Sequence, residues 1–274
     1  MTTHALVLDI GGSHVTAALV DLGQQRILAG SLQRDHVDPN SDVEVLLSVW
    51  AGAARRALGQ TSVSFIGVAM PDPFEYDTGV SRMQHKFASL YGVNVGVALQ
   101  EKLMLSIPIY FGNDASLFTL GEWWAGAAKG FDRVIGVTLG TGLGGGFVVG
   151  GNVLYSGEGV PTNGGIWDLP YLDGIAEDYV SGPALVKNYQ SKTGITLNPA
   201  EIAGAARGDD KAAMESYLEL GFHLGEILKP WVKAFGAHCI VVGGNIAWSF
   251  DLFEPGFEKA LDTYVHLVPS TLFE

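Results

Sequence analysis

The sequence holds a single cysteine, Cys239, among 274 residues. One thiol excludes an intrachain disulfide and any multi-cysteine zinc site, and it suits a reducing, cytoplasmic compartment. Basic residues are also few. Sixteen Lys and Arg stand against 29 Asp and Glu, for a net charge of −13. The cations are scattered, so the clustered positive surface that nucleic acid requires is missing. No stretch of about 20 residues is free of polar groups, which argues against a membrane span. The opening MTTHALVLDIGG has no basic segment before its apolar run, so no signal peptide is read there.

Glycine, by contrast, is plentiful: 37 residues, about twice the usual share. The chain is 47% hydrophobic with mean hydropathy +0.23, enough to bury a sizeable core. Its length suits two lobes of ordinary domain size. An acidic protein of this kind can still bind a nucleotide, using backbone N–H groups and a metal ion in place of basic side chains.

The glycines mark two copies of one device. ALVLDIGGSHVTAALVD (residues 5–21) and VIGVTLGTGLGGGFVVGGNV (residues 134–153) each read as an apolar strand, a glycine turn and a second apolar strand. Between and after them the spacing predicts a third strand within 26–34 and a helix through Val45–Leu58 opened by a Ser41–Glu44 capping box. Strands follow at 64–70 and 107–111, the first ending in the Pro71-Asp72-Pro73 turn. A helix opens at Asn113-Asp114. Residues 151–174 read as loop. Helices are expected at about 181–193 and 211–235, and a buried strand at 239–242. This is an α/β chain in two related halves with the switch near Gly112, giving lobes 1–112 and 113–274.

Four motifs carry chemistry. Asp9 ends a buried strand beside Gly11, Gly12 and Ser13, where a carboxylate can hold hydrated Mg²⁺ while the turn approaches phosphates. The alternative is an aspartate that only stabilises its own hairpin turn. In the second hairpin, glycines 140, 142, 144, 145 and 146 remove each Cβ that would block a phosphate, and Thr138 and Thr141 add hydroxyls. It is neither a Walker loop nor a dinucleotide fingerprint, because no Gly-Lys-Ser/Thr follows and strand-like Phe147-Val-Val149 replaces a helix. Gly243-Gly244-Asn245 ends a strand and offers bare backbone to an adenine or ribose, or is a plain strand-to-helix turn. Asn113-Asp114 is an N-cap pair or a substrate site. In the second case Asp114 is a general base for a hydroxyl attacking a γ-phosphoryl group, and Asn113 holds a neighbouring hydroxyl.

In order and spacing, Asp9-Ile-Gly-Gly-Ser-His14, Asn113-Asp114 with Gly121-Glu122, Thr138–Gly146 and Val242–Asn245 resemble the ROK family of bacterial sugar kinases and repressors, over nearly the whole chain. The resemblance implies an α/β fold of two ribonuclease-H-like lobes, the actin-like ATPase fold, with ATP·Mg²⁺ and a hexose in a central cleft. It implies transfer of the γ-phosphoryl group of ATP to a hexose hydroxyl, most often the 6-OH, with Asp114 as base. Glu177, in Glu177-Asp-Tyr-Val-Ser-Gly182, matches a sugar-contacting glutamate. A homodimer is implied by the resemblance alone.

The departures lie on the sugar side. The family's Gly-Glu-Ile-Gly-His reads Gly164-Gly165-Ile166-Trp167-Asp168 here. Gly165 replaces a glutamate and Asp168 a zinc-binding histidine, and the cysteine loop that should follow is Leu169–Gly174, so no zinc is expected. Gly165 leaves space for a substituent at the sugar's C2, and Asn163 or Asp168 is placed to supply replacement hydrogen bonds. The family's terminal helix would begin about where the chain stops. A repressor reading needs a helix-turn-helix ahead of the first hairpin, which starts within ten residues of the N-terminus. The remaining alternative is a catalytically weak sugar-binding or regulatory protein. His85, in Met83-Gln-His-Lys86, matches the rim of the sugar site, and Trp123-Trp124 reads as core or interface.

Overall fold

A computed structural model describes residues 4–84 and 86–272; His85 lies outside them. The chain divides into two compact units, with the boundary in sequence between Asp114 and Ala115.

In the first unit, β1 (His4–Ile10) and β2 (His14–Asp21) form the expected hairpin, with Asp9 opposite Thr16 and Ile10 opposite Val15. The alternation along β1 buries Leu6, Leu8 and Ile10 and turns Val7 and Asp9 to the other face, as the period of two requires. The predicted third strand is two short ones, β3 (Arg26–Ile27) and β4 (Gln33–His36), both paired with β2. Helix α1 (Val43–Leu58) buries Leu46, Leu47, Trp50 and a run of alanines. The Ser41–Glu44 capping box does not form. Asp42 is the N-cap residue, with no side-chain cap bond, so Glu44 falls one position too early to reach back to the cap.

Strand β5 (Ile66–Met70) runs parallel to β1. A small hairpin of β6 (Phe74–Glu75) and β7 (Val80–Ser81) follows, then helix α2 (Val95–Leu103), which sequence spacing did not reveal, and β8 (Ile109–Asn113), parallel to β5. The main sheet is ordered β3-β2-β1-β5-β8, with β4 also on β2. Trp50 and Phe87, their rings edge to face at 5.6 Å, sit in the core between sheet and helices. Helix α3 (Asp114–Ala125) starts immediately after β8.

The second unit repeats the plan. Antiparallel β9 (Arg133–Leu139) and β10 (Leu143–Val149) continue into the short β11 (Asn152–Val153). The loop-rich stretch holds a minimal hairpin, β12 (Pro170–Tyr171) and β13 (Gly174–Ile175), then α4 (Ala176–Tyr179), α5 (Gly182–Thr193) and α6 (Pro199–Arg207). The 25-residue α7 (Lys211–Phe235) occupies the span read from its apolar spacing. Asp210 caps it by accepting from the Ala213 N–H, and left-handed Gly236 ends it. Strand β14 (Cys239–Gly243), a 3-10 turn at Asn245–Ser249, α8 (Phe250–Ala260) and β15 (His266–Pro269) complete the unit. The sheet is ordered β11-β10-β9-β14-β15.

In each unit, then, a hairpin's first strand pairs in parallel with a strand reached by crossover, and that strand pairs in parallel with the next. The duplication visible in the glycine hairpins extends through both sheets. No described helix is long and apolar enough to cross a membrane.

Candidate functional site

Parallel pairing places the carboxyl ends of β1, β5 and β8 side by side. Asp9 pairs with Ala69, Ala69 with Gly112, and Met70 with Asn113. The strand ends of an open α/β sheet are where ligands bind, because chain direction changes there and leaves backbone and side chains uncovered. Three aspartates meet at this edge: Asp9, Asp72 just beyond β5, and Asp114 at the first turn of α3.

Asp9 keeps contact with solvent by surface area, yet protein surrounds it on most sides. That burial raises its pKa, the charge of Asp114 raises it further, and Arg34 partly offsets both. Such a carboxylate, crowded by a second negative charge, has the electrostatics of a divalent-cation partner. Mg²⁺ retains most of its waters and needs only one or two carboxylates from protein, and Asp9 fits that donor set. Among the described residues no group of three or more His, Cys, Asp or Glu is arranged to hold a metal ion by itself, the three aspartates of this edge included.

The turn after β1 is tight: the Gly11 N–H donates to His14 O at 2.9 Å. A Cβ on Gly12 would touch the Lys86 side chain at 3.4 Å, so this lysine's stem lies against the turn. Lys86 and Arg34 are cations that the motif reading of this turn did not include. Ser13 Oγ and His14 Nδ1 are 2.9 Å apart.

Asp72 is another residue that sequence reasoning assigned no chemistry, placing it only in a proline-flanked turn. The Asp72–Pro73 peptide is cis. Asn113 Nδ2 donates to Asp72 Oδ2 at 2.8 Å, and the Tyr76 hydroxyl, which lies 3.0 Å from Met70 O, donates to Asp72 Oδ1 at 2.8 Å. Burial raises the Asp72 pKa, opposed by the Tyr76 hydrogen bond, and the Asp114 charge adds to the rise. Burial and Asp72 push the Tyr76 phenol far up, which keeps it a donor.

In the second unit the strand ends of β9 and β14 are likewise adjacent, Thr138 pairing with Gly243. This brings together Thr138, the turn Gly140-Thr141-Gly142, Gly244 and Asn245. The turn is closed by Gly140 N–H to Gly142 O at 3.0 Å and fastened to α5 by Gly182 N–H to Gly140 O at 2.7 Å. Glu177 supports it from below: its Oε2 accepts from the Leu143 N–H at 2.8 Å.

Not all of the glycines open space for phosphate, contrary to the expectation for this loop. At Gly140 an added Cβ would meet nothing closer than 4.0 Å. At Gly142 it would strike Glu177 Oε2 at 2.5 Å, at Gly144 the Ala115 Cβ at 2.8 Å, at Gly145 the Ile166 side chain at 2.8 Å, and at Gly146 the Ala115 carbonyl at 2.8 Å. These glycines let α3, the 162–166 segment and the Glu177 side chain lie directly on the hairpin. Gly244 is similar. Its φ of +90° and the Leu139 N at 2.8 Å from its missing Cβ explain the glycine by the β9 backbone, not by an exposed ligand surface.

A cavity of about 700 Å³ opens beside this turn, lined by Gly140, Thr141, Pro183, Asn198, Arg207, Tyr217, Asn245 and Trp248 among others. Trp248 is 67% exposed at its wall. Arg207 is braced there by Trp248 O at 3.3 Å and Asp251 Oδ1 at 2.8 Å. α6, which supplies Arg207, was not legible in the sequence.

The remaining predicted residues cluster downstream of the hairpin. Exposed Asn163 sits in a left-handed conformation (φ 58°), and Gly165 follows in extended conformation. A Cβ at Gly165 would make ordinary contacts at 3.7 Å with Thr162 O and the Trp167 ring, so a small side chain is accommodated there. Asp168 is exposed. Where the resembling family places a zinc loop, the β12–β13 hairpin is held by Tyr171, whose hydroxyl lies 2.8 Å from His223 Nδ1, with Tyr179 packed edge to face on Tyr171. Trp123 is half-buried and donates to Phe131 O at 2.8 Å.

Comparison with known proteins gives a consistent result. The family model described as ROK family matches residues 5–271. The N-acetylgalactosamine kinase AgaK of Shewanella sp. strain ANA-3 is 30% identical over 258 residues, 88% of this chain and 81% of that protein. A glucokinase of Thermotoga maritima is 24% identical over 287 residues, 96% of this chain and 88% of that protein. The crystal structure of a ROK family glucokinase from Streptomyces griseus, in complex with glucose and AMPPNP, superposes with a TM-score of 0.79 at 23% identity, covering 98% and 95% of the two chains.

Proposed function

The chain belongs to the ROK family and has its actin-like ATPase fold, and on that premise we propose that it is an ATP-dependent sugar kinase transferring the γ-phosphoryl group to a hexose hydroxyl, the 6-OH. The observation that carries this reading is the pair Asn113-Asp114 at the strand edge where Asp9 also ends. A carboxylate beside an amide, at a sheet's ligand-binding edge and next to a cation-binding aspartate, is the equipment for activating a hydroxyl toward a phosphate.

In this reading Asn113 and Asp114 hold the acceptor sugar, and Asp114 accepts the hydroxyl proton as the oxygen bonds to the γ-phosphorus. The bond from that phosphorus to the bridging β-oxygen breaks and ADP departs. Catalysis is chiefly positioning and charge stabilisation. Asp9 would hold Mg²⁺ through water, and the ion would supply neutralisation of charge on the phosphates. Gly12 and Ser13 in the first unit, and Thr138, Thr141, Gly142, Gly244 and Asn245 in the second, offer backbone N–H groups and hydroxyls to phosphate oxygens, while Gly11 and Gly140 shape the two turns by closing them through their own N–H groups. The 700 Å³ cavity takes the nucleoside, with Trp248 available to stack on the base.

The sugar is a hexose or a hexose substituted at C2. The lack of a side chain at Gly165 supports a C2 substituent, and one relative is an N-acetylgalactosamine kinase. Glu177, Asn163 and Asp168 complete the sugar contacts in this assignment. ADP release measured over hexoses, amino sugars and N-acetyl sugars tests the proposal, with Asp114→Asn as control. Sugar-dependent ADP release that falls by about 100-fold or more in the variant is the expected result. No sugar-dependent release from the wild-type chain overturns it.

A further inference from the structure

Asp72 stands outside the roles assigned above. Chain order separates it from Asn113 by 41 residues, and the β5–β8 register brings the two together. Both of its carboxylate oxygens are engaged, Oδ2 by Asn113 and Oδ1 by Tyr76. A carboxylate offers about four acceptor positions, and these two donors take two of them. Asp72 is also exposed to solvent. Its orientation is therefore fixed while part of its hydrogen-bonding capacity faces outward.

A purely structural clamp between two strand ends would not need a negative charge. The charge here is set against that of Asp114 and against partial burial, two costs that a neutral acceptor avoids. A fixed, outward-facing carboxylate is repaid when a ligand brings hydroxyl donors, because charge-assisted hydrogen bonds are the strong ones. Its bond to Asn113 has a second effect. With Nδ2 turned to Asp72, the amide's rotation is set, and so is the direction in which its carbonyl oxygen points.

We propose that Asp72 is a sugar-binding and positioning residue, whose carboxylate receives a hydroxyl of the acceptor hexose other than the one that attacks phosphorus, and which orients the Asn113 amide toward the same sugar. The proposal rests on the sugar-kinase reading. It assigns specificity to the segment between β5 and β6 and selects acceptors that present a hydroxyl donor at that point.

The test uses the full chain with ATP, Mg²⁺ and the best sugar of the panel, and compares wild type with Asp72→Asn, Asp72→Ala and Tyr76→Phe. The expected result is a sugar KM raised about tenfold or more by Asp72→Asn and further by Asp72→Ala, with kcat within about threefold and ATP KM within about twofold of wild type. Tyr76→Phe, which retains the carboxylate and loses one brace, raises sugar KM by a smaller factor. One deoxy sugar among the 2-, 3- and 4-deoxy forms binds wild type more weakly than the parent sugar does, and Asp72→Ala removes that difference. An unchanged sugar KM in Asp72→Asn and Tyr76→Phe, or ATP and sugar KM rising together, overturns the proposal. Absence of sugar-dependent ADP release from wild type instead overturns the kinase reading itself.

Discussion

Leu143 and Glu177 are joined across 34 residues: the backbone N–H at the start of β10 donates to the Glu177 carboxylate at 2.8 Å. The resemblance gave Glu177 a sugar contact. The structure also makes it a brace of the Gly140–Gly142 turn, and Gly142 must lack a side chain for the carboxylate to fit. Removing the brace leaves a backbone donor without its charged partner. A hydrogen bond to a charged group contributes about 1.5–3 kcal/mol, so Glu177→Ala is expected to raise the ATP KM by about tenfold or more as well as weakening sugar binding. Glu177→Gln, which keeps an acceptor oxygen, should recover most of the ATP KM. Steady-state kinetics with each substrate varied in turn checks this.

Asp9 links function to stability. Its folded pKa lies above its ordinary value because of burial and Asp114. Between the unfolded and folded values the native chain binds the extra proton. Stability conferred by protonation there is lost as pH rises through that window. Asp9→Asn removes the charge, so its melting temperature without nucleotide should exceed that of wild type at pH 7 and converge with it under acid. The same variant should lose about 100-fold or more in kcat, the scale of a deleted charge-stabilising contact. Thermal unfolding across pH, beside ADP release, measures both.

Two glycines of the second unit should respond very differently to the same change. At Gly136 an added Cβ would be driven into the Thr119 side chain, with the Thr119 Cβ at 2.7 Å. Gly136→Ala should therefore destabilise by about 1–3 kcal/mol. At Gly165 the backbone is extended and the nearest atoms lie at 3.7 Å. Gly165→Ala should stay within about 0.5 kcal/mol of wild type. Chemical denaturation of the two variants distinguishes them, and the sugar panel on Gly165→Ala reports whether the space serves a C2 substituent.

Trp248 is the exposed aromatic at the wall of the second unit's cavity. Stacking of a base on an aromatic ring contributes about 1–3 kcal/mol by alanine substitution. Trp248→Ala should weaken AMPPNP binding by about tenfold in calorimetry, while Trp248→Phe retains most of the affinity.

Local patterning carried much of this molecule. Apolar alternation and glycine turns defined both hairpins. Helical spacing defined α7 from first to last residue, because periodicity is a short-range property, and the structure adds Asp210 and Gly236 as its caps. The sequence alone also marked Asp9, Asn113 and Asp114, since each stands where an apolar strand ends. α2 and α6 escaped notice because their nine residues hold too few turns to establish a period. Tertiary structure alone decided what the glycines are for. Glycines 144–146 look identical to Gly140 along the chain, and only the approach of α3 and the 162–166 segment shows that they serve packing while Gly140 stays open. It alone brought out Asp72 as well, since a residue between two prolines reads as a turn until the parallel register of β5 and β8 sets it against Asn113. Strand ends that touch in a parallel sheet are separated in sequence by a crossover, so no local pattern can record which side chains meet there.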